Sequence, residues 1–192
     1  MSYYLKFFVI RIITRRVYRI LFDNNSYNII KSDKWSNDHW SLNQNKRKFN
    51  KNKSYISLNK GKCNGRIIGG HLRTFNLLLS TGFAPDIKNK ILFLEEHKSA
   101  DINIIKNNLN FLVLNKNFNK VKGIVFGRIN PDSKVDEKEL KNLLKKIGVN
   151  HKIPIIYGLD FGHTSPRITF PIGGMADLDA TNTKPAIIIK KH

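Results

Sequence analysis

In the second half of the chain, short apolar runs alternate regularly with longer amphipathic stretches. Apolar runs occupy 91–94, 123–127 and 153–157, and a further run lies at Ala186–Lys190. Runs of this length, bounded by glycine or polar residues, are typical of buried strands. Because helical patterns separate the first three runs, the order strand–helix–strand–helix–strand predicts an α/β domain with parallel strands and right-handed crossovers.

The stretches around these runs are predicted to be helices. Residues 101–114 repeat apolar side chains at helical spacing, and Asp101 lies in the first turn, where an acidic side chain favours a helix. The next helix is predicted to begin after Ser133 as its N-cap and to stop at Gly148. A short helix is also predicted over Thr74–Leu79.

The net charge is strongly positive and unevenly distributed. The chain carries +20, and residues 1–66 contain 15 Lys and Arg against 3 Asp and Glu, whereas residues 67–192 contain 19 against 11. This charge suits an anionic polymer, but Lys, Asn and Ile are frequent in every region, as an AT-rich coding sequence would produce. No nucleic-acid-binding motif accompanies the charge, so we do not expect a nucleic-acid partner. A basic binding module on an α/β scaffold is the alternative function.

The first third of the chain differs in pattern from the rest. We predict a helical, then basic and irregular extension over residues 1–60, and an α/β domain over residues 61–192. Within the extension, residues 43–53 have the composition of a solvated loop or linker.

Bulk features also bound the location. The apolar stretch 3–22 is interrupted by basic residues, so its uninterrupted runs fall far short of the ~20 residues that a membrane span needs. A basic amphipathic helix lying on a membrane or a partner domain stays open for this stretch. Cys63 is the only cysteine, which excludes an intrachain disulfide and a thiol-rich metal site. We predict no membrane span and a cytoplasmic location.

Two ionisable side chains stand where predicted strands end. Glu95 follows the first apolar run, and His163 follows the third in a Gly-His step. The carboxyl ends of parallel strands meet at one edge of a sheet, where functional groups collect. A carboxylate there could orient the imidazole, as in a hydrolytic triad. The alternatives are His163 as an ordinary turn histidine, Glu96 or His97 in place of Glu95, and Asp160 as the partner of His163.

The glycine-rich run 65–74 is a weaker signal. It lacks the Gly-Lys-Ser/Thr ending of a phosphate loop, and no clear strand precedes it. We interpret Gly69 and Gly70 as a close backbone approach before a helix, with amides that could line a substrate pocket. Trp35 is predicted as a further substrate-binding residue.

Four motifs in this order carry a family resemblance. They are GRIIGGHLRTFNLLLSTGFAP from Gly65, ILFLEE from Ile91, GIVFGRI from Gly123, and IPIIYGLDFGHTSPRITFPIGGMADLDA from Ile153. Together they closely resemble the C-terminal part of the LD-carboxypeptidase family, which includes the muropeptide LD-carboxypeptidases and the microcin C immunity-type hydrolases. The resemblance covers residues 60–190, roughly the predicted α/β domain.

The resemblance implies a serine hydrolase with a Ser-Glu-His triad. The family's glutamate matches Glu95 and its histidine matches His163. The family fold is a Rossmann-like N-terminal domain that carries the serine, joined to a smaller C-terminal α/β domain, with the active site between them and usually a homodimer. The implied substrates are muropeptides or aminoacyl nucleotides, and no metal or organic cofactor is implied.

The chain departs from the family pattern in several places. No Gly-x-Ser-Asp turn, the family's nucleophile motif, occurs in the 192 residues, and the sequence begins about where the family's N-terminal domain ends. His71 replaces a common asparagine, Ser80 a usual glycine and Glu96 a usual aspartate. We therefore expect a C-terminal domain that is inactive by itself, either as a gene fragment or as the complement of a separate serine-bearing chain.

Overall fold

The computed structural model describes residue 22 and residues 25–38 and 44–191. Most of the helix predicted within residues 1–30 therefore lies outside the described residues.

The described residues form ten strands and three α-helices. The strands are β1 Tyr27–Asn28, β2 Lys34–Trp35, β3 Asn50–Lys51, β4 Ile56–Asn59, β5 Lys62–His71, β6 Lys90–Glu95, β7 Gly123–Gly127, β8 Ile155–Leu159, β9 Met175–Asp179 and β10 Ala186–Lys191. The helices are α1 Leu72–Leu79, α2 Ile102–Val113 and α3 Glu137–His151, and short 3-10 turns occupy Gln44–Lys46 and Phe118–Lys120.

Eight strands form one mixed sheet in the order β1-β10-β9-β5-β6-β7-β8-β4. The central strands β5, β6, β7 and β8 are parallel, and α1, α2 and α3 connect them in turn. β9 and β10 extend the sheet antiparallel on one side, and β4 pairs antiparallel with β8 on the other. The predicted α/β fold with parallel central strands is confirmed.

The hydrophobic core has two parts, one on each face of this sheet. Successive side chains of a strand point to opposite faces, so Leu92 and Leu94 of β6 pack among the helices, while Ile91 and Phe93 pack on the other face. Side chains of β9 and β10 continue that second face, and Phe161 and Ile168 of the segment after β8 pack with them. β6, β7 and β8 are buried on both faces, which explains why their sequences are continuously apolar.

Two predicted helix boundaries are wrong. α3 begins at Glu137 because the Asp136 side chain, not Ser133, accepts hydrogen bonds from the first free amides. It also runs past Gly148 and ends at His151, with Lys152 as a C-cap in the left-handed conformation. Gly148 serves close packing instead, since a Cβ there would lie 2.6 Å from the Cβ of Asn59 in β4.

The glycine-rich run lies in a different context from the predicted one. A ten-residue strand, β5, leads directly into α1, so a strand-to-helix connection does exist there. Gly69 is required by the approach of β6, because a Cβ at this position would lie 2.0 Å from the carbonyl oxygen of Phe93. The strand was hard to see because lysine, asparagine and glycine interrupt its apolar residues.

The polar first third contributes to the main sheet. β1 pairs with β10 and β4 pairs with β8, so strands from before residue 60 lie at both edges. The predicted boundary at residue 60 is therefore not marked by a change of sheet. Within the described part of the chain, none of the helices has the length and apolar character that crossing a membrane requires.

Candidate active site at the carboxyl ends of the parallel strands

The structure brings the two predicted site residues together. His163 Nδ1 lies 2.8 Å from Glu95 Oε2, although the residues are 68 positions apart in sequence. Glu95 ends β6, and His163 lies in the loop after β8, so both stand at the carboxyl edge of the parallel sheet, as expected. The Glu95 side chain is 11% exposed and the His163 side chain 34%, so a buried carboxylate holds a ring that remains open to solvent.

The strand period explains why Glu95, and not Glu96, reaches His163. Phe93 in β6 packs on Phe161 in the loop after β8, with ring centroids 6.0 Å apart. Glu95 follows Phe93 by two residues in the strand, and this step returns its side chain to the face on which the loop after β8 lies. Glu96 is one residue further on, and its carboxylate meets a different histidine, His71.

A glycine makes this approach possible. Gly162 has φ +103°, and a Cβ there would lie 2.9 Å from Glu95 Oε2 and 3.1 Å from Glu95 Cβ. The loop is held further by Asn130, whose side-chain amide donates to the carbonyl oxygen of His163 at 3.0 Å. The Gly-His step noted in the sequence therefore has two physical reasons, a left-handed backbone and a lack of space.

The hydrogen bonds define which ring nitrogen is available. Glu95 is a carboxylate acceptor, so it fixes the proton of a neutral His163 ring on Nδ1. Among the described residues, Nε2 of His163 has no hydrogen-bond partner. A neutral imidazole of this form presents a free lone pair to a reacting group, as a general base must.

A cavity of about 440 Å³ opens beside His163. Its lining contains ionisable side chains that the sequence reasoning did not select for this role; the lining residues are His71, Arg73, Glu96, His97, Ser99, Ala100, Ile104 and His163. The ring of His97 stands perpendicular to that of His163 with centroids 4.5 Å apart. His71 ends β5, and Glu96 and His97 follow β6. This position at the ends of neighbouring strands was the signal that could have identified these three residues.

A second carboxylate–imidazole pair lines the same cavity. His71 Nε2 lies 2.6 Å from Glu96 Oε1, and the Glu96 side chain is 2% exposed. His71 is also the N-cap of α1, and its Nδ1 accepts from the Thr74 amide at 3.3 Å. Since Nδ1 is an acceptor there, the proton of a neutral His71 ring lies on Nε2. Nε2 contacts Glu96 Oε1 as an ion pair without meeting the geometry of a hydrogen bond, so each ring nitrogen of His71 faces a neighbouring group.

The remaining predicted residues lie elsewhere. Asp160 does not pair with His163, because its carboxylate is buried among donors from other segments. The Trp35 ring packs on the guanidinium of Arg128, 4.8 Å from its carbon to the ring centroid. Trp35, Gly69 and Gly70 are not among the residues that line the cavity, and their role in substrate binding stays a prediction. Among the described residues, no three or more His, Cys, Asp and Glu side chains are grouped so that they could hold a metal ion.

An oriented imidazole at the carboxyl edge of a parallel sheet is the arrangement of α/β enzymes that use a general base. Comparison with known proteins defines the family. Residues 64–178 match the LD-carboxypeptidase C-terminal domain, and the chain belongs to this family of hydrolases. The suspected resemblance, including its restriction to the C-terminal domain, is confirmed.

Relatives of known name agree with this assignment. The chain is 36% identical over 166 residues to "Putative carboxypeptidase YocD" from Bacillus subtilis (strain 168), covering 86% of this chain and 51% of that protein. It is 30% identical over 184 residues to the microcin C7 self-immunity protein MccF from Escherichia coli, covering 93% of this chain and 51% of that protein. The chain thus spans about half the length of the curated relatives it matches.

Solved structures share the fold. An MccF-like protein from Bacillus anthracis str. Ames superimposes with a TM-score of 0.86 at 37% identity, over 93% of this chain and 55% of that chain. MccF has also been solved in complex with aspartyl sulfamoyl adenosine. That structure matches with a TM-score of 0.78 at 26% identity, over 96% of this chain and 56% of that chain.

Proposed function

We propose that this chain supplies the Glu95–His163 half of a Ser-Glu-His hydrolase that cleaves an amide bond. The observation that carries the proposal is the 2.8 Å contact between His163 Nδ1 and Glu95 Oε2, which leaves His163 Nε2 open beside a cavity. In this scheme Nε2 takes the proton of an attacking serine hydroxyl and later gives it to the leaving amine. Glu95 holds the ring and stabilises its charged form.

The attacking serine is expected from a segment outside these residues. The serines near the site have other partners: Ser32 Oγ donates to Asp160, Ser165 Oγ accepts from Arg47, and Ser99 Oγ lies 2.7 Å from His97 Nδ1. Without a nucleophile and its oxyanion donors, a Glu–His pair supplies only acid–base assistance, about 10²–10⁴-fold. We therefore propose that the 192 residues alone do not turn over substrate, and that a serine-bearing domain or a separate serine-bearing chain completes the site.

The names and ligands of the relatives support a substrate class. YocD is named as a carboxypeptidase, and MccF has been solved in complex with aspartyl sulfamoyl adenosine, which carries an aspartyl group. We propose a peptide of the muropeptide type or an aminoacyl nucleotide as the substrate. The cavity beside His163, lined by histidines and Arg73, offers the cleaved group a polar surface.

Two measurements test the proposal. The purified chain is incubated with a fluorophosphonate, which labels activated serines, and with a D-Ala-terminated muropeptide tetrapeptide. A chimera that joins the serine-bearing N-terminal part of the Bacillus anthracis MccF-like protein to this chain is treated in the same way. We expect neither labelling nor D-Ala release by the chain alone, and both by the chimera, with both lost in His163→Ala. Release by the chain alone that disappears in His163→Ala would overturn the claim of inactivity. A correctly folded chimera that is not labelled would contradict the proposed half-site.

A further inference from the structure

A buried carboxylate lies three residues before His163. Asp160 follows β8 directly, and its side chain is 1% exposed. Its Oδ2 accepts from the Ser32 amide at 2.7 Å, from Ser32 Oγ at 2.9 Å and from the Tyr55 hydroxyl at 3.1 Å. The Asn52 side-chain amide donates to Oδ1 at 3.0 Å. A carboxylate buried with this many donors is oriented by all of them at once.

The charge of Asp160 is balanced by Arg128, which follows β7. The Arg128 guanidinium donates to Asp160 Oδ1, and its side chain is only 14% exposed. The Trp35 ring covers the other side of this guanidinium. Asp160 thus joins the ends of two neighbouring parallel strands to the polar segment that contains Ser32, Trp35 and Asn52.

The same polar segment also holds the chain on the other side of His163. The amide of Ser36 donates to the carbonyl oxygen of Ser165 at 2.8 Å, and the amide of Ser165 donates back to Ser36 at 2.9 Å. Ser36 is fully buried. His163 therefore lies between two anchor points, Asp160 and Ser165, and both are attached to residues 32–52.

We propose that Asp160 is a positioning residue for His163, and that it fixes the loop so that the imidazole stays in register with Glu95. This inference rests on the proposed role of His163 as general base. Loops after strands are ordinarily mobile, yet a general base has to remain within hydrogen-bond reach of its partner. A cluster serving stability alone has no need of a charge, because an apolar replacement of a buried ion pair is often neutral or stabilising.

The structure supplies a direct readout. In wild type, the His163 proton lies on Nδ1 because Glu95 accepts it, whereas the His71 proton lies on Nε2 because α1 uses the other nitrogen. Long-range proton–nitrogen NMR of the chain enriched in ¹⁵N distinguishes these two ring forms. His71 is then an internal reference in the same spectrum, and a His163→Gln variant assigns the signal of interest.

Asp160→Asn is the decisive variant, because it keeps the shape and turns one acceptor oxygen into a donor that faces other donors. We expect the Nδ1–H to Nε2–H ratio of His163 to fall about tenfold, the size of one charge-assisted hydrogen bond. The His71 signal is expected to stay unchanged. Asp177→Asn is the matched control, since Asp177 lies in β9 with a half-exposed side chain and a long 3.6 Å ion pair to Lys190.

An unchanged His163 ratio in a folded Asp160→Asn chain would overturn the positioning role and leave a structural one. If Asp160→Asn does not fold, the double variant Ser32→Ala/Tyr55→Phe, which keeps the carboxylate and removes two donors, decides by the same criterion. The proposed hydrolysis is judged separately by labelling of the chimera. If the wild-type chimera reacts with the fluorophosphonate but the His163 ring-form ratio is unchanged in Asp160→Asn, only the positioning role of Asp160 is rejected, and the proposed hydrolysis stands.

Discussion

Two glutamates that are adjacent in sequence bind two histidines in this cavity, and the two pairs differ in what they leave free. Glu95 holds His163 through Nδ1, and Nε2 has no described partner. Glu96 holds His71 through Nε2, while Nδ1 of that ring caps α1. One imidazole is thus oriented and available, and the other is oriented and fully engaged.

Closeness of a carboxylate and an imidazole therefore does not by itself define a general base. What decides is whether the second nitrogen is free. The helix cap takes that nitrogen from His71, so we interpret the Glu96–His71 pair as a wall of the cavity. The resemblance noted in the sequence gives a common asparagine and a usual aspartate at these two positions.

The largest expected effect is on kcat/KM, which substitutions of His163 and His71 are expected to lower to very different extents. In the chimera described above, His163→Ala is expected to lower kcat/KM by about 10²–10⁴-fold, the usual contribution of a general base. His71→Asn keeps an N-cap side chain and is expected to lower kcat/KM by about tenfold or less. Steady-state D-Ala release measures both. A larger loss in His71→Asn would reverse the assignment of the two pairs.

The next effect concerns the room that Gly162 leaves for the first pair. Gly162→Ala places a methyl group against Glu95 and strains a backbone with φ +103°, so we expect a loss of about 1–3 kcal/mol in the free energy of unfolding together with a changed His163 ring form. Gly173→Ala is the matched control, because Gly173 has φ +87° and open space around its Cβ position.

Urea unfolding and NMR compare the two glycine variants. Gly173→Ala is expected to show the backbone cost alone, with the His163 signal unchanged. An unchanged His163 signal in both variants would mean that the contact between His163 and Glu95 does not require a glycine at position 162.

The second pair is expected to be coupled in stability. His71→Asn removes a partner from a buried carboxylate and is expected to cost about 1–3 kcal/mol. Because Glu96→Asp then restores the family's combination, the double variant is expected to recover most of that loss. A double-mutant cycle by urea unfolding measures the coupling. Additive effects of the two substitutions would show that Glu96 and His71 act independently.

The smallest effect concerns the cavity hydroxyl. Ser99 lies in an exposed turn against His97, and Ser99→Ala is expected to change chimera activity by about twofold or less, as for other surface substitutions. A loss of fluorophosphonate labelling in Ser99→Ala would identify this serine as a nucleophile and contradict the proposed source of the serine.

The sequence predicts the centre of the fold well and its margins poorly. The apolar runs of β6, β7 and β8 are unambiguous because burial on both faces excludes polar residues from them. The helix predicted over 101–114 is present as α2, but Asp101 is its N-cap and not a residue of its first turn. β9 was not recognised because Asp177 and Asp179 occupy its less buried positions, and α3 begins later than predicted because Asp136 competes successfully as the cap.

The same contrast holds within the candidate site. The contact between Glu95 and His163 was predictable because Glu95 ends one parallel strand and His163 lies in the loop that follows another, and the pattern defines where both strands end. The Asp160 cluster was not predictable, because its partners Ser32, Asn52 and Tyr55 lie more than 100 positions away in a segment without periodicity. Local patterns define strands and their ends, whereas such a cluster depends on where an irregular segment folds back.

The order of the main sheet has a consequence for how this protein meets other molecules. Its long apolar strands are interior, and its outermost members, β1 and β4, contain two and four residues. An unpaired edge is the template on which foreign strands add during aggregation. Among the described residues, the β4 edge is four residues long, and on the other side β1 pairs with only Ile188 and Ile189 of β10. Any strand that adds to this sheet is therefore expected to add beside β10, away from the apolar central strands.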